Sequence, residues 1–497
     1  MSAENSSVAG FAHFNARPSA EYLLRASATD LAGRIRRREL TSRTVVEAHI
    51  AHARRVNPTL NAIVRERYAE ALQEADEADR AIGRGDALPP FHGVPCTIKE
   101  AFALTGMPNS SGLYARRHVL AETDATTVAR LRRAGAIPLG VTNISELCMW
   151  MESANTVYGR THNPYDPRRT VGGSSGGEGA IVGAGASPFG LGSDIGGSIR
   201  MPAFFNGVFG HKPTGGLVPG SGQFPMAEGA ATRYLTTGPL CRRGEDLWPL
   251  MKILAGPDGI DPGCSDEHPL GDPDAVSVEG LEVVSVEENG VFAPEAALVE
   301  AQRRVARHLE RRGARVRVER FPDLKHSLDV WSALLAASEG PTFAELMGEG
   351  VAIRAGRELL KWSIGRSHHT LPAIVLALVE KVPALLADRA EEAKAIGARL
   401  KETLLSAIGP RGIMLFPSYT RLAPLHGTAL VPPIQWAYTA ILNVMEFPVT
   451  QVPLGLHRGL PLGVQVASAH GNDHVTVAIA LELERAFGGW IPPGRWF

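Results

Sequence analysis

The chain has 497 residues, 44% of them apolar, with 51 basic and 52 acidic side chains for a net charge of −1. It is long enough to bury a large core, and the charge balance excludes the basic face that nucleic acid or an anionic membrane surface requires. No run reaches the length of about eighteen uncharged apolar residues that spans a bilayer, and residues 1–20 hold no apolar signal core, so a cytoplasmic protein is expected.

Residues 27–64 place Leu31, Ile35, Val45, Val46, Ile50 and Val56 at helical spacing, with Ser42 as a cap between two helices; this predicts a helical lead-in over about 20–70. Residues 91–100 read as a short strand ending on Lys99, followed by a helix over 124–134 and a strand over 137–141. Beyond a glycine-rich stretch, strand 281–286, helix 294–312 and strand 315–321 form an α/β rhythm. Residues 324–400, with Trp331, Phe343, Trp362 and the apolar run 371–379, read as a helical insertion that roofs a pocket. The rhythm returns in a strand at 413–416, a hairpin of 449–456 and 460–466 around His457-Arg458-Gly459, and a closing helix over 473–487. With α/β signals on both sides of the glycines, the expectation is one large α/β domain over 1–497, with a central mixed β-sheet flanked by helices.

The stretch from Gly172 to Gly222 holds 17 of the 53 glycines and only four charged residues, Glu178, Asp194, Arg200 and Lys212. A flexible linker would not carry Ile181, Val182, Phe204 and Phe205, so the segment is expected to be buried and shaped. Two serine motifs lie in it: Gly172-Gly173-Ser174-Ser175-Gly176-Gly177 and Asp194-Ile195-Gly196-Gly197-Ser198-Ile199-Arg200. Glycine exposes backbone N–H groups that can hold an oxyanion. A serine hydroxyl becomes a nucleophile only when a base takes its proton, and lysine is such a base when burial keeps it neutral. Lys99 closes the apolar run 94–98 and suits that role.

These motifs, together with Val94-Pro95-Cys96-Thr97-Ile98-Lys99, resemble the amidase signature hydrolases across nearly the whole chain. Within them Glu178, the 220–225 stretch, Thr237-Gly238-Pro239-Leu240 and Phe487-Gly488-Gly489-Trp490 are most similar to the fatty acid amide hydrolases. The resemblance implies the amidase signature fold and a Ser-Ser-Lys triad. Ser198 is the acyl-accepting nucleophile, Ser174 the bridging serine on a cis peptide after Gly173, and Lys99 the ultimate base and acid. It also implies an oxyanion hole of the Ile195, Gly196, Gly197 and Ser198 amides, with Ser175, Asp194 and Arg200 in support. No cofactor or metal is needed. The implied substrate is a small-molecule amide, fatty acyl or aryl, or an ester or carbamate that follows the same acyl-enzyme route. A homodimer is the default assembly.

The chain departs from the family pattern at Glu100, where Asp is usual, at Val171, where Pro is usual, and in lacking an N-terminal membrane helix. Membrane contact is therefore in doubt, although residues 371–386, broken by Glu380, Lys381 and Pro383, could form an amphipathic cap.

Other readings compete. Gly172-x-Ser174-x-Gly176 fits the nucleophile elbow of α/β-hydrolase esterases, but the polar, proline-broken residues 161–169 offer no strand into the serine, and His470 or His474 would have to serve as base. An amidotransferase A-type subunit would need partner subunits. A non-catalytic binding protein on the same scaffold would have no use for Lys99, Ser174 and Ser198 together. His368 and His369 are adjacent, not spaced as metal ligands. The four cysteines, Cys96, Cys148, Cys241 and Cys264, show no metal or disulfide spacing and read as reduced core thiols.

Overall fold

Short runs of two to nine residues, most of them rich in apolar side chains, form the strands of the computed structural model, which describes residues 19–338, 340–380, 387–429, 431 and 435–497. The stretch 1–20 lies almost wholly outside the described residues. In chain order the strands are β1 Ile63–Glu66, β2 Val94–Lys99, β3 Ala136–Thr142, β4 Ala154–Asn155, β5 Gly159–Arg160, β6 Phe189–Asp194 and β7 Phe209–Lys212. They continue with β8 Thr236–Cys241, β9 Glu282–Ser285, β10 Arg315–Val318, β11 Ile413–Phe416, β12 Val449–His457 and β13 Leu460–Ser468. Eleven of them form one sheet in the order β1-β3-β2-β6-β8-β7-β12-β13-β11-β9-β10, while β4 and β5 pair separately. The sheet is mixed: β3-β2-β6 and β11-β9-β10 pair in parallel and the remaining neighbours antiparallel. Helices cover it, giving the single α/β domain that the sequence pattern leads one to expect.

The parallel trio positions the site. Every residue of β2 and β6 is buried, as befits strands covered on both faces. Their register pairs Thr97 with Gly190 and Ile98 with Leu191, so both strands end at the same edge of the sheet. Lys99 ends β2 there, and Asp194 ends β6 and opens the second serine motif. Helix Gly176–Gly183 follows the first motif and packs on both strands with all eight residues buried. A Cβ on Gly190 would sit 1.8 Å from Glu178 Oε2, so only glycine lets this helix lie so close to β6. Phe204 and Phe205 are buried too, as expected of a shaped segment.

The lead-in contains helices Ala28–Arg36 and Ser42–Leu60. The cap of the second helix is Thr41, whose side chain accepts from the Thr44 amide, and not Ser42. The Ser42 hydroxyl is turned inward and donates to the Gly93 carbonyl at 2.8 Å, a tertiary partner that outweighs a local cap. The lead-in also supplies edge strand β1, and its Asn61 C-cap takes a left-handed conformation (φ 51°) that helical periodicity does not foreshadow. The C-terminal hairpin turns at Arg458-Gly459, with His457 paired to Leu460 inside the ladder.

Between β10 and β11 run helices Ser327–Ala336, Phe343–Met347, Ala355–Ser363, Leu371–Val379 and Ala387–Ile408. Helix Leu371–Val379 buries Ala373, Ile374 and Ala377 and leaves Val375, Leu378 and Val379 between 39% and 47% exposed. Residues 381–386 of the amphipathic run lie outside the described residues. Among the described residues no helix is long and apolar enough to cross a membrane.

Candidate active site

Lys99 is fully buried at the end of β2. Its Nζ donates to the Ser174 hydroxyl at 2.7 Å and to the Ser193 hydroxyl at 3.0 Å. Burial pushes the ammonium down from its ordinary value of 10.5, and nearby Cys148, Asp194 and Glu178 offset only part of that shift. The Gly173–Ser174 peptide bond is cis. Ser174 is 1% exposed and Ser198, at 8%, lines the cavity described below. The two motifs touch directly, the Ser175 amide donating to the Ser198 carbonyl at 3.2 Å, and the Ser175 hydroxyl donates to the carbonyl of Ser193 on β6 at 3.3 Å.

Asp194 and Arg200 form a pair whose side chains are both 0% exposed. The guanidinium reaches both Asp194 oxygens at 3.0 Å, and also Gln465 Oε1 at 2.8 Å and Asn443 Oδ1 at 2.5 Å. Burial alone would raise the Asp194 carboxyl, but the Arg200 charge and its hydrogen bonds hold it well below the usual carboxylate range. The carboxylate spends its other lone pairs on the loop, accepting from the Gly197 amide at 2.6 Å and the Ile199 amide at 3.0 Å. The pair thus shapes the turn that carries Ser198. One consequence amends the four-amide oxyanion hole: the Gly197 N–H is already committed to Asp194. The amides of Ile195, Gly196 and Ser198 remain, on three residues that line the cavity.

Glu100 is buried and accepts from the Ser110 amide and hydroxyl, the Ser111 amide and the Tyr158 hydroxyl at 2.6–2.8 Å. The extra methylene relative to Asp reaches a loop and leaves Lys99 untouched. Glu178 lies beneath Lys99, accepting from Thr97 Oγ1 at 2.5 Å and Thr142 Oγ1 at 2.8 Å. Thr97 shares the Lys99 face of β2, and Thr142 stands opposite Lys99 in the β2–β3 register. Burial raises the Glu178 carboxyl to about 8.

A cavity of about 530 Å³ opens over Ser198. Its walls are mostly apolar, with Met149, Met201, Trp331, Phe343, Leu376 and Trp436 prominent. Trp331 and Trp436 meet edge to face at 4.8 Å, and Trp331 Nε1 donates to the Ile195 carbonyl at 2.8 Å, tying the wall to the loop. Trp362, the third aromatic singled out, does not line it and is 44% exposed. A smaller chamber of about 190 Å³ adjoins the first, sharing Cys148, Met149 and Ile195 and adding Gln223 and Glu228.

Sequence reasoning missed Ser193, the second partner of Lys99; its only signal is its place next to Asp194 on a strand neighbouring Lys99. It also placed Cys148 in the core. All four cysteines are free, but Cys148 is half-buried and lines both chambers. Its turn carries two non-glycine left-handed residues, Leu147 and Cys148, and the thiol lies near Lys99. The elbow arrangement is not realised: the first serine motif follows loop and turn residues, not a strand. His470 Nε2 pairs with the Met445 carbonyl, and among the described residues no histidine hydrogen-bonds Ser174 or Ser198.

Comparison with known proteins identifies the family and the fold. Residues 44–477 match the Amidase family. The chain is 45% identical to human (Homo sapiens) fatty-acid amide hydrolase 2, over 98% of this chain and 93% of that one. It is 31% identical to an indoleacetamide hydrolase of Bradyrhizobium diazoefficiens, over 93% and 86% of the two chains. Among solved structures, a 6-aminohexanoate cyclic dimer hydrolase superposes with a TM-score of 0.76 at 26% identity, covering 93% of this chain and 97% of that one. The family match over residues 44–477, the 45% identity to a fatty-acid amide hydrolase over nearly the whole chain and the shared fold place the chain in the amidase signature family of serine hydrolases, enzymes that act on amide bonds, with fatty-acid amide hydrolases among its close relatives.

Proposed function

We propose that this protein hydrolyses carboxylic acid amides bearing an apolar acyl group, by way of an acyl-enzyme on Ser198. The observation that carries the reading is the 2.7 Å contact between fully buried Lys99 and Ser174, one motif away from a serine at the floor of an apolar cavity. A neutral Lys99 reverses that hydrogen bond. The Ser174 hydroxyl then donates to the Nζ lone pair, while the Lys99 N–H bond to Ser193 keeps the amine aimed.

Ser198 Oγ attacks the carbonyl carbon as its proton passes to Ser174 Oγ and the Ser174 proton passes to Lys99. The oxyanion accepts from the Ile195, Gly196 and Ser198 amides, contacts of about 3–4 kcal/mol per donor in the transition state. Collapse breaks the C–N bond, and the proton returns along the same path to the leaving amine. Water then adds to the acyl-enzyme, again giving its proton through Ser174, and releases the acid and Ser198. The apolar walls around Trp331, Phe343 and Leu376 suit an acyl chain or an aryl ring. Its only charged lining side chain among the described residues is Glu380, which accepts from the Phe343 amide at 2.6 Å.

Amine release from a series of acyl amides of increasing chain length, with Ser198→Ala as control, tests the reading alongside labelling by a fluorophosphonate. Rapid labelling and amine release, both lost in Ser198→Ala, are expected. Turnover that survives in Ser198→Ala would show that another group is the nucleophile.

A further inference from the structure

One buried carboxylate fastens the roof of the larger cavity to its floor. Glu146 is 3% exposed and opens the short turn Glu146–Cys148. It accepts from His369 Nδ1 at 2.7 Å and from both the amide and the hydroxyl of Thr370 at 2.8 Å, partners 223 and 224 positions along the chain. Thr370 is the N-cap of helix Leu371–Val379, and that helix gives Leu376 and Val379 to the cavity wall. On the other side the turn runs straight into Cys148, which lines both chambers beside Lys99.

The neighbouring residue is pinned as well. The His368 ring stacks on Tyr114 at 3.9 Å, and its carbonyl accepts from Thr156 Oγ1 at 2.6 Å. The helix is held elsewhere too: Ala373, Ile374 and Ala377 pack in one apolar cluster with Leu113, Leu147, Ala344 and Met347, and Glu380 at its C-cap accepts from the Phe343 amide at 2.6 Å, while Val375, Leu378 and Val379 are 39–47% exposed. Three hydrogen bonds to one desolvated carboxylate are the polar anchor of its N-terminal end, the end whose orientation they fix.

We infer that Glu146 is a positioning residue that holds helix Leu371–Val379 over the acyl cavity and so sets how strongly the site favours long acyl chains. The inference rests on the amide-hydrolase reading above. A short acyl group sits against Ile195, Gly196 and Ser198 and does not reach Leu376 or Val379. A long one does, and loses contact area when the roof is released.

The test compares acetyl and dodecanoyl anilides on the full chain, its Glu146→Gln variant and its Thr370→Val variant, with hydrogen exchange measured over residues 371–379. Glu146→Gln removes the charge and one acceptor, so KM for the dodecanoyl substrate is expected to rise about tenfold with kcat within about twofold. The acetyl substrate should keep both constants, and exchange over 371–379 should quicken about tenfold. Thr370→Val removes one of the three hydrogen bonds together with the cap on the Ala373 amide and keeps the backbone donor; it should give about a threefold rise in KM for the dodecanoyl substrate with the acetyl substrate unchanged, and this substrate difference carries the test if Glu146→Gln does not fold. Equal effects on the two substrates, or unchanged exchange, overturn the inference. A parent chain that cleaves neither anilide would defeat the functional reading, while the exchange data would still judge the latch.

Discussion

Replacing Arg200 with methionine removes the guanidinium that faces Asp194 and keeps a side chain of similar length. Asp194 loses two hydrogen bonds of 3.0 Å and its ion-pair partner, while the Gly197 and Ile199 amides stay in place. Both side chains are 0% exposed, so the carboxylate becomes an uncompensated buried charge, at a cost of about 3–5 kcal/mol. Unfolding entropy of about 2.1 cal/mol/K per residue makes 1 kcal/mol worth about 1 °C in a chain of this size, so Tm should fall about 3–5 °C. The sign with pH follows from the same pair. In the parent the folded carboxyl lies below its unfolded value, which contributes stability above the unfolded pKa and loses it as pH falls. In the variant burial is opposed only by the neutral donors of Gly197, Ile199 and Asn443 and raises the folded carboxyl relative to the parent, so the stability that the parent gains from an ionised Asp194 is lost as pH rises. The gap in Tm between parent and variant should therefore narrow from pH 7.5 to pH 5 in calorimetric scans. A drop of less than about 1 °C, or an equal drop at both pH values, would refute the argument that charge burial governs this turn.

Three further outcomes are expected. Lys99→Met should lower kcat by about 10²–10⁴ and remove the rise of activity toward alkaline pH that deprotonation of a buried, depressed amine produces; a parallel pH profile in the variant would reject Lys99 as the base. Glu178, raised to about 8 in the fold, contributes stability that is present below its unfolded pKa of 4.5 and is lost as pH rises through 8. Glu178→Gln should therefore flatten the decline of Tm between pH 5 and pH 9, and an unchanged slope would show that Glu178 is ionised in the folded chain. Trp331→Phe removes the donor to the Ile195 carbonyl and should reduce kcat about fivefold, the effect of one hydrogen bond on the alignment of the oxyanion loop; wild-type kcat would show the loop holds itself.

Local signals were legible where the chain repeats them. The closing helix is found at Asp473–Phe487 and the strand at Ile413–Phe416, both as the period and the apolar run predict, because a helical face or a buried strand needs only neighbours a few residues away. Lys99, Ser174 and Ser198 stood out because glycine-rich backbone around a reactive side chain has few structural uses, and the family resemblance named their roles. Ser42 shows the limit: the residue type is a good cap, yet its hydroxyl serves the Gly93 carbonyl, 51 positions away.

What the sequence by itself determined is therefore the α/β class and those elements with a clear period or apolar run, encoded in short-range pattern, and it singled out Lys99, Ser174 and Ser198 as candidates through their glycine-rich motifs. Only the tertiary structure decided which groups those side chains meet. Ser193 joins Lys99 because β6 lies parallel to β2 in a particular register, the Gly197 amide is withdrawn by Asp194, and Glu146 holds a helix from more than two hundred positions away. Such contacts depend on strand order and packing distance, and the energy of a buried hydrogen bond leaves no periodic trace in the residues that form it.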